Sequence, residues 1–405
     1  MMGWPATADR GVATMEDRWR ALAILTAART SLGFQFQSVA AASPQLVGEL
    51  GLSYADLGTL IGLYFLPGLF IALPAGALGR RFGDSRVALA GLLLMAAGAV
   101  LGSMAGGFAG LAAGRLLSGI GAVLLSVPLS KMVTDWFAGR EIVLAMAIFM
   151  NSFPIGIGLA VLVLGGLAGA AGWPAVIASG AGLALAALML LLLAYRPHSN
   201  ERAGSAAAGS WRIPRLDVAL VCIAGALWGI LNGAFAIMVG FAPSYLGAAG
   251  LGPAEIGLLT GAATWLVVAS AQAGGMLAQR WGRPGPLLTV AALGWTACLL
   301  ALATRTGPPA LAMIGSGLVM GLPVGVIMAL PSQALRPEDR ALGMGVFFLW
   351  LYAGHAGLPP LAGWVQDRAG SPAAPLWLAA ALVLSLLPLF QVFRWGVAVR
   401  QRAAG

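Results

Sequence analysis

Two arginines, Arg29 and Arg115, sit deep inside apolar stretches, where a charge is out of place. The chain has 23 basic and 14 acidic residues, and no Asp or Glu lies comparably deep. An ionised side chain at the centre of a bilayer costs ~2.5–3.5 kcal/mol on insertion scales, so it is retained where function needs it. Two embedded cations without an embedded carboxylate predict a pocket that offers positive charge to an anion. Arg29 is nine residues past Arg20, ~14 Å along a helix at ~1.5 Å per residue, which is close to the bilayer midplane. A guanidinium there can hold a planar carboxylate, nitrate or cyanate. The competing role is bonding to the carbonyls of a broken helix. Arg115 shares a helix face with Ser118, Gly119 and Ser126. That stripe fits a cavity wall and equally a close helix contact.

Other polar groups lie at similar depth. His355, with Tyr352 three residues earlier, is the one embedded group that titrates near neutral pH, and it is the candidate proton carrier if movement is proton-coupled. Asn151, Asn232, Gln37 and Gln272 could orient a ligand or serve as interhelical contacts worth ~0.6 kcal/mol each. Tyr64 and Trp265 fall at similar depth on matching segments and are candidate cavity walls or gates.

The elements that must position these residues follow from composition. Of 405 residues, 60% are hydrophobic and 9% charged, with a mean hydropathy of +0.89. Soluble domains carry about 25% charged residues, so an integral membrane protein is expected. Lipid leaves backbone polar groups no partner but each other, which restricts spanning segments to helices or a closed barrel. The apolar runs are continuous rather than alternating, so helices are expected. Twelve spans are predicted, at 19–42, 54–78, 87–105, 108–134, 142–165, 173–195, 217–241, 255–278, 287–304, 309–334, 341–365 and 373–396. The first is longer than a signal-peptide core and is read as a retained helix.

The net charge of +9 is explained by topology rather than by a nucleic-acid partner. With the N-terminus inside, 19 of the 23 basic residues fall on cytoplasmic segments. Arg305 and Arg368 fall on the other side, and the remaining two are Arg29 and Arg115. This positive-inside bias predicts that both termini are cytoplasmic. Lys131 is the only lysine beside many Arg, Ala and Gly, a composition that suggests a GC-rich bacterial genome, and the expected location is the bacterial inner membrane. Cys222 and Cys298 lie within spans at no metal or redox spacing, and no cofactor is expected.

The chain repeats itself. Residues 43–83 and 242–282 match at an offset of 199, pairing Pro44 with Pro243, Gly51 with Gly250, Gly58 with Gly257, Gly62 with Gly261 and Arg81 with Arg280. Two bundles of six helices are expected, 1–195 and 217–405, joined by the Arg/Ser/Gly-rich segment 196–216. Position 228, opposite Arg29 in the repeat, is Trp, so the charges are not duplicated.

One turn carries a recognisable pattern. Gly76, Arg80, Arg81, Gly83 and Asp84 follow the spacing of the G-x-L-x-D-R-x-G-R loop of the major facilitator superfamily, echoed by Gly275, Arg280, Gly282 and Arg283. Arg80 and Gln279 stand where that loop has its Asp, with Asp84 as the possible substitute. The run Arg115–Gly121, Asn151–Gly158 and Gly363–Gly370 also resemble the superfamily. The stretch Trp136–Glu141 is most similar to the branches that contain cyanate, nitroimidazole and nitrate/nitrite porters. In the loop, glycines are expected to let helix ends approach and arginines to bind C-terminal carbonyls. The resemblance implies an all-α, twelve-helix transporter that rocks around a central site, working as a monomer.

The function expected is alternating-access transport of a small anion such as cyanate, nitrate, nitrite or a small carboxylate, with a proton or counter-anion as possible partner. The alternatives are a drug or hydrophobic-compound exporter of the same fold and a non-transporting membrane sensor. An exporter of cations would be expected to carry an embedded acid. An enzyme is not expected, because no Ser–His–acid set, metal cluster or phosphate loop is found.

Overall fold

The computed structural model describes residues 15–137, 141–196, 214–281, 284–335 and 340–404. Among them the only regular element is the α-helix, as the unbroken apolar runs require. Among the described residues, nine helical stretches are long and apolar enough to cross a membrane.

The N-terminal set is α1 (Met15–Leu50), α2 (Tyr54–Leu63), α3 (Gly68–Phe82), α4 (Asp84–Ser103), α5 (Phe108–Trp136), α6 (Ile142–Met150) and α7 (Ser152–Ala194). The C-terminal set is α8 (Arg215–Ala248), α9 (Pro253–Trp281), α10 (Pro284–Thr304), α11 (Pro309–Met320), α12 (Val324–Ala334), α13 (Arg340–Ala369) and α14 (Ala374–Ala404). Most of the segment 196–216 lies outside the described residues.

The repeat appears in the element boundaries. The start of α2 at Tyr54 and of α9 at Pro253 are 199 residues apart, as are the ends of α3 at Phe82 and α9 at Trp281. Both α1 and α8 stop just before a glycine of positive φ, Gly51 at 63° and Gly250 at 91°. That left-handed conformation costs other residues ~1–2 kcal/mol, so the repeated glycine terminates the helix at the same place in each set. Ser53 then starts α2 with a capping box: its hydroxyl accepts from Asp56 N–H, and the Asp56 carboxylate accepts from Ser53 N–H, both at 3.0 Å.

Several predicted spans are not single helices. Span 54–78 is split into α2 and α3 by the turn at Tyr64–Pro67, and span 309–334 into α11 and α12 at Gly321–Pro323. Pro67 and Pro323 each lack the N–H that a continuous helix needs. Conversely, spans 142–165 and 173–195 meet without a loop, because α7 bends at Gly172 (φ 77°, ψ 173°) just before Pro174.

Within the N-terminal set α1 packs along α7 and α4 along α5; within the C-terminal set α13 packs on α8 and α10 on α14. The largest contacts between the sets are α13 against α2 and α7 against α9, with α1 also meeting α8.

Candidate functional site

Side-chain contacts define two ends of the molecule. At the end where α7 stops and α8 starts, Trp19 meets Phe137 at 5.2 Å, Trp136 bonds Tyr195 at 3.0 Å, and Arg400 holds Asp217 at 2.8 Å. At the opposite end, Gln45 donates to the Ala168 carbonyl at 2.7 Å. A cavity of about 550 Å³ lies between the two sets of helices. Each lining helix contributes only its middle and its turns toward the α7–α8 end: Arg29 and Leu32 of α1, Ala122 to Ser130 of α5, Trp228 to Phe235 of α8, and Gly345 to His355 of α13. Asparagine 151 sits at the α6–α7 junction on the same wall.

Arg29 is the one charged Lys, Arg, Asp or Glu side chain in the lining, and no carboxylate faces it among the described residues. Its Nε donates to Ser126 Oγ at 3.3 Å. Its Nη1 donates to Ser152 Oγ at 2.9 Å and to the Phe149 carbonyl at 3.4 Å. The guanidinium lies 4.8 Å from the centroid of the Phe149 ring. These partners fix the plane of the fork and are neutral, so they orient the charge without cancelling it. Nη2 has no protein partner among the described residues.

Arg115 is held differently. Its Nε donates to the Leu60 carbonyl at 2.9 Å, Nη1 to Gln35 at 2.8 Å and Nη2 to Phe36 at 3.3 Å. Its guanidinium also lies 4.5 Å from the Tyr64 ring centroid. Every nitrogen is engaged, and the residue ties α5 to α1 and to the end of α2. It does not line the large cavity. The pairing suggested by the shared stripe also changes, since Ser126 reaches Arg29 rather than Arg115. Beside Arg115, Gln35, Ser38 and Ser118 border a small void of about 10 Å³.

The cavity brings together Arg29, Tyr64, Asn151, Asn232, Tyr352 and His355. Tyr64 donates its hydroxyl to the Leu32 carbonyl at 3.2 Å. Asn232 donates Nδ2 to the Trp228 carbonyl at 2.9 Å, which leaves its oxygen for the cavity. His355 is 1% exposed; its Nδ1 bonds the Leu351 carbonyl at 3.1 Å and its Nε2 has no partner. Its ring lies 4.2 Å from that of Phe65.

Two candidate residues are elsewhere, and Gln37 takes its alternative role as an interhelical contact. Gln37 is buried between α1 and α8, donating to the Val239 carbonyl at 3.1 Å. Trp265 covers Gly158 where α9 crosses α7, and it is 39% exposed. Depth along a helix did not determine which way these side chains point. Gln272 is likewise exposed. Four lining or supporting residues were not anticipated: Ser152, Phe65, Phe153 and Trp228. Trp228 carried a signal, because it occupies the repeat position of Arg29. It stacks on Phe347 at 6.0 Å, and its buried Nε1 has no partner. A buried donor or acceptor left unpaired costs about 1–3 kcal/mol, and the wall holds one of each: the indole N–H of Trp228, and Nε2 of His355, an acceptor when Nδ1–H donates to Leu351.

The opposite end is closed. A Cβ on Gly58 would collide with the Pro359 carbonyl, and one on Gly62 with the Ala356 carbonyl, so α2 and α13 meet backbone to backbone. At the tip, the Asp367 carboxylate at the end of α13 accepts from the N–H groups of Tyr54 and Ala55 at 3.0 and 2.7 Å. These are orphan donors of the first turn of α2, where a negative charge also complements the helix dipole.

The sequence profile of the Major Facilitator Superfamily matches residues 25–356. The chain belongs to this superfamily. No curated protein sequence matches it. Its backbone is similar to the inward-open xylose transporter XylE from E. coli, with a TM-score of 0.75 at 14% identity over 92% of this chain and 95% of that one. It is similar to the nucleoside transporter NupG, with a TM-score of 0.74 at 14% identity over 94% and 99%. It is also similar to a bacterial homologue of the human lysosomal transporter Spinster, inward-facing and occupied, with a TM-score of 0.71 at 15% identity over 96% and 98%. At these identities the likeness establishes the fold, that of a multi-pass membrane transporter.

In this superfamily member the loop motif is built around its substitute acid. Asp84 opens α4, is 1% exposed, and accepts from Lys131 Nζ at 2.6 Å, while Asp135 accepts from the same ammonium at 2.9 Å. Gly79 makes the close approach to Asp84. Gly76 and Gly275 have open space where a Cβ would go, which corrects the expectation of tight contact at those two positions. Gly275 is instead the surface that Gly325 approaches. Gly83, at φ 93°, caps α3 through its N–H to the Gly79 carbonyl at 2.9 Å. Arg80, Arg81 and Arg280 are exposed. Among the described residues neither Arg80 nor Arg81 reaches a helix carbonyl; Arg81 lies over Phe82 at 5.3 Å. Gly282 and Arg283 lie outside the described residues.

Proposed function

We propose that the protein is a secondary transporter that binds an anion at Arg29 in the central cavity and exposes it alternately to the two sides of a bacterial inner membrane. In this reading the chain crosses the membrane twelve times. Two six-helix bundles, 1–195 and 217–405, rock about the α2–α13 and α7–α9 contacts. The segment 196–216 and both termini lie in the cytoplasm, so the open end faces inward. One chain is the working unit.

The observation that carries the proposal is a guanidinium fixed by neutral partners at the wall of a cavity that no carboxylate faces. Without an anion the charge is uncompensated in an apolar enclosure. With one, the pair is neutral and the bundles can close around it. Nitrate, nitrite and cyanate have three or four heavy atoms and would leave most of about 550 Å³ to water. That volume lies in the range of sites for drug-sized organic ligands, which favours a carboxylate over the inorganic ions. His355, with its bare Nε2 just below the Gly62–Ala356 contact, is the candidate proton carrier if transport is proton-coupled.

The test is anion uptake into proteoliposomes by Arg29→Gln and Arg29→Lys, with monodispersity of the purified protein as the folding control. Loss of uptake in Arg29→Gln and a partial loss in Arg29→Lys, which keeps the charge but not the fork, are expected. Wild-type uptake by Arg29→Gln would refute the anion site. Efflux of a fluorescent lipophilic cation would favour a hydrophobic-compound exporter, for which the apolar lining is the supporting observation.

A further inference from the structure

We infer, building on the reading of Arg29 as the anion anchor, that the substrate is an organic monoanion with an aromatic or similarly flat apolar body. The repeat places Arg29 and Trp228 at equivalent positions, 199 residues apart, and both line the same cavity. The two walls therefore face the ligand at comparable depth with different chemistry, a cation on α1 and an indole on α8. Pseudo-symmetry supplies the pocket, and the exchange of Arg for Trp gives it a charged pole and an apolar pole.

Each pole is already built. At the charged pole, Ser126, Ser152 and the Phe149 carbonyl occupy Nε and Nη1, and Nη2 is left for one carboxylate oxygen. At the apolar pole, Trp228 is braced by its stack on Phe347, and Phe348 lines the cavity beside it. Between them, Phe65 packs near Tyr352 and Phe153, at 6.2 and 5.8 Å between ring centroids. Rings in offset or edge-on contact are a favourable surface for a further ring.

The charge count selects a monoanion. A dianion would bring a second negative charge into a lining with no second Lys or Arg, and an organic cation would meet Arg29 without a balancing acid. The indole N–H of Trp228 is buried in the wall without a protein partner, so the ring is what this residue offers the ligand.

The experiment uses the purified full chain in lipid nanodiscs, with affinity measured by thermal stabilisation and by quenching of tryptophan fluorescence. The probes are acetate, nitrate and cyanate; benzoate, phenylacetate and naphthoate; neutral benzamide; dianionic phthalate; and tetraphenylphosphonium. Aromatic carboxylates are expected to bind ~10- to 100-fold more tightly than acetate or nitrate, because the added ring carbons leave water. Trp228→Ala should close that gap, because acetate has no ring for the indole to meet, and Phe348→Leu should narrow it. Trp228→Phe keeps a ring and serves if the alanine variant does not fold. Arg29→Gln should remove binding of both classes. Acetate and nitrate binding as tightly as naphthoate would overturn the aromatic body and leave the Arg29 site standing. Benzamide matching benzoate, with both indifferent to Arg29→Gln, would overturn the anion reading itself. No response to any aromatic carboxylate would overturn the class.

Discussion

The two ends of the interface between the N-terminal and C-terminal helices are built from opposite materials. At the closed end, glycines of α2 let α13 approach to backbone contact, Asp367 caps α2, and Arg115 braces the α1–α2–α5 corner through three carbonyls. At the open end, the same helices diverge around Arg29 and a wall of Phe, Trp, Met and Val side chains. The contacts between the sets at the closed end are short-range and directional, so they are made in full or lost together. An interface of this kind suits the two-state element that the proposed alternating access needs. The two arginines show the same contrast: Arg115, with every nitrogen bonded to protein, is structural, and Arg29, with one nitrogen free, is available to a ligand.

The largest effect that would break this contrast is Arg115→Met. Three buried carbonyls lose their donor at ~1 kcal/mol or more each, so a loss of ~3 kcal/mol is expected. Thermal or denaturant unfolding in detergent measures it, and an unchanged midpoint would remove Arg115 from its bracing role. Next is Gly58→Val. The added side chain must push back the Pro359 backbone, at ~1–3 kcal/mol of strain against the closed end. Spin labels on exposed Glu49 and Arg368 should report a growing population of longer distances. A distance distribution identical to that of the unsubstituted protein would mean that the glycine contact does not control closure.

A smaller shift of the same kind is expected from Asp367→Ala, which removes an exposed carboxylate from a helix N-terminus, at ~0.3–1 kcal/mol. An effect as large as that of Gly58→Val would show that the cap, not backbone packing, holds the end shut. Smallest of all is Asp135→Ala at the open end, which removes the partly exposed partner of Lys131 and leaves its bond to buried Asp84 in place. A partly exposed ion pair is worth ~0–1 kcal/mol, so stability should fall slightly and the Glu49–Arg368 distances should not move. A change there would mean that the two ends are coupled through α5 rather than built independently.

Much of this architecture was legible in the sequence. Runs of apolar residues define helices because a backbone in lipid has no other solution, and the 199-residue repeat set the boundaries of α2 and α9. The split of span 54–78 was not anticipated, although Pro67 was visible, because many prolines here, such as Pro44 and Pro388, sit inside unbroken helices. The position of Arg29, Arg115, Asn151, Asn232 and His355 along their helices was readable by counting. Their direction was not, because a rotation of ~100° per residue leaves the facing side to be decided by the neighbouring helices. For this reason Gln37 stayed open between ligand contact and interhelical contact, Trp265 was misplaced, and Ser152 and Phe65 were missed.

The sequence by itself determined that the chain is helical, that it repeats at an offset of 199, and that its apolar runs hold two arginines with no acid equally far from their ends. All of these follow from local composition, spacing and the cost of burying a charge. Only the tertiary structure decided that Arg115 spends its nitrogens on three carbonyls while Arg29 keeps one for the cavity. It also decided that Asp367 closes onto a helix more than 300 residues earlier in the chain. Hydrogen-bond partners supplied by distant segments depend on how helices pack against one another, and no local pattern in the chain encodes them.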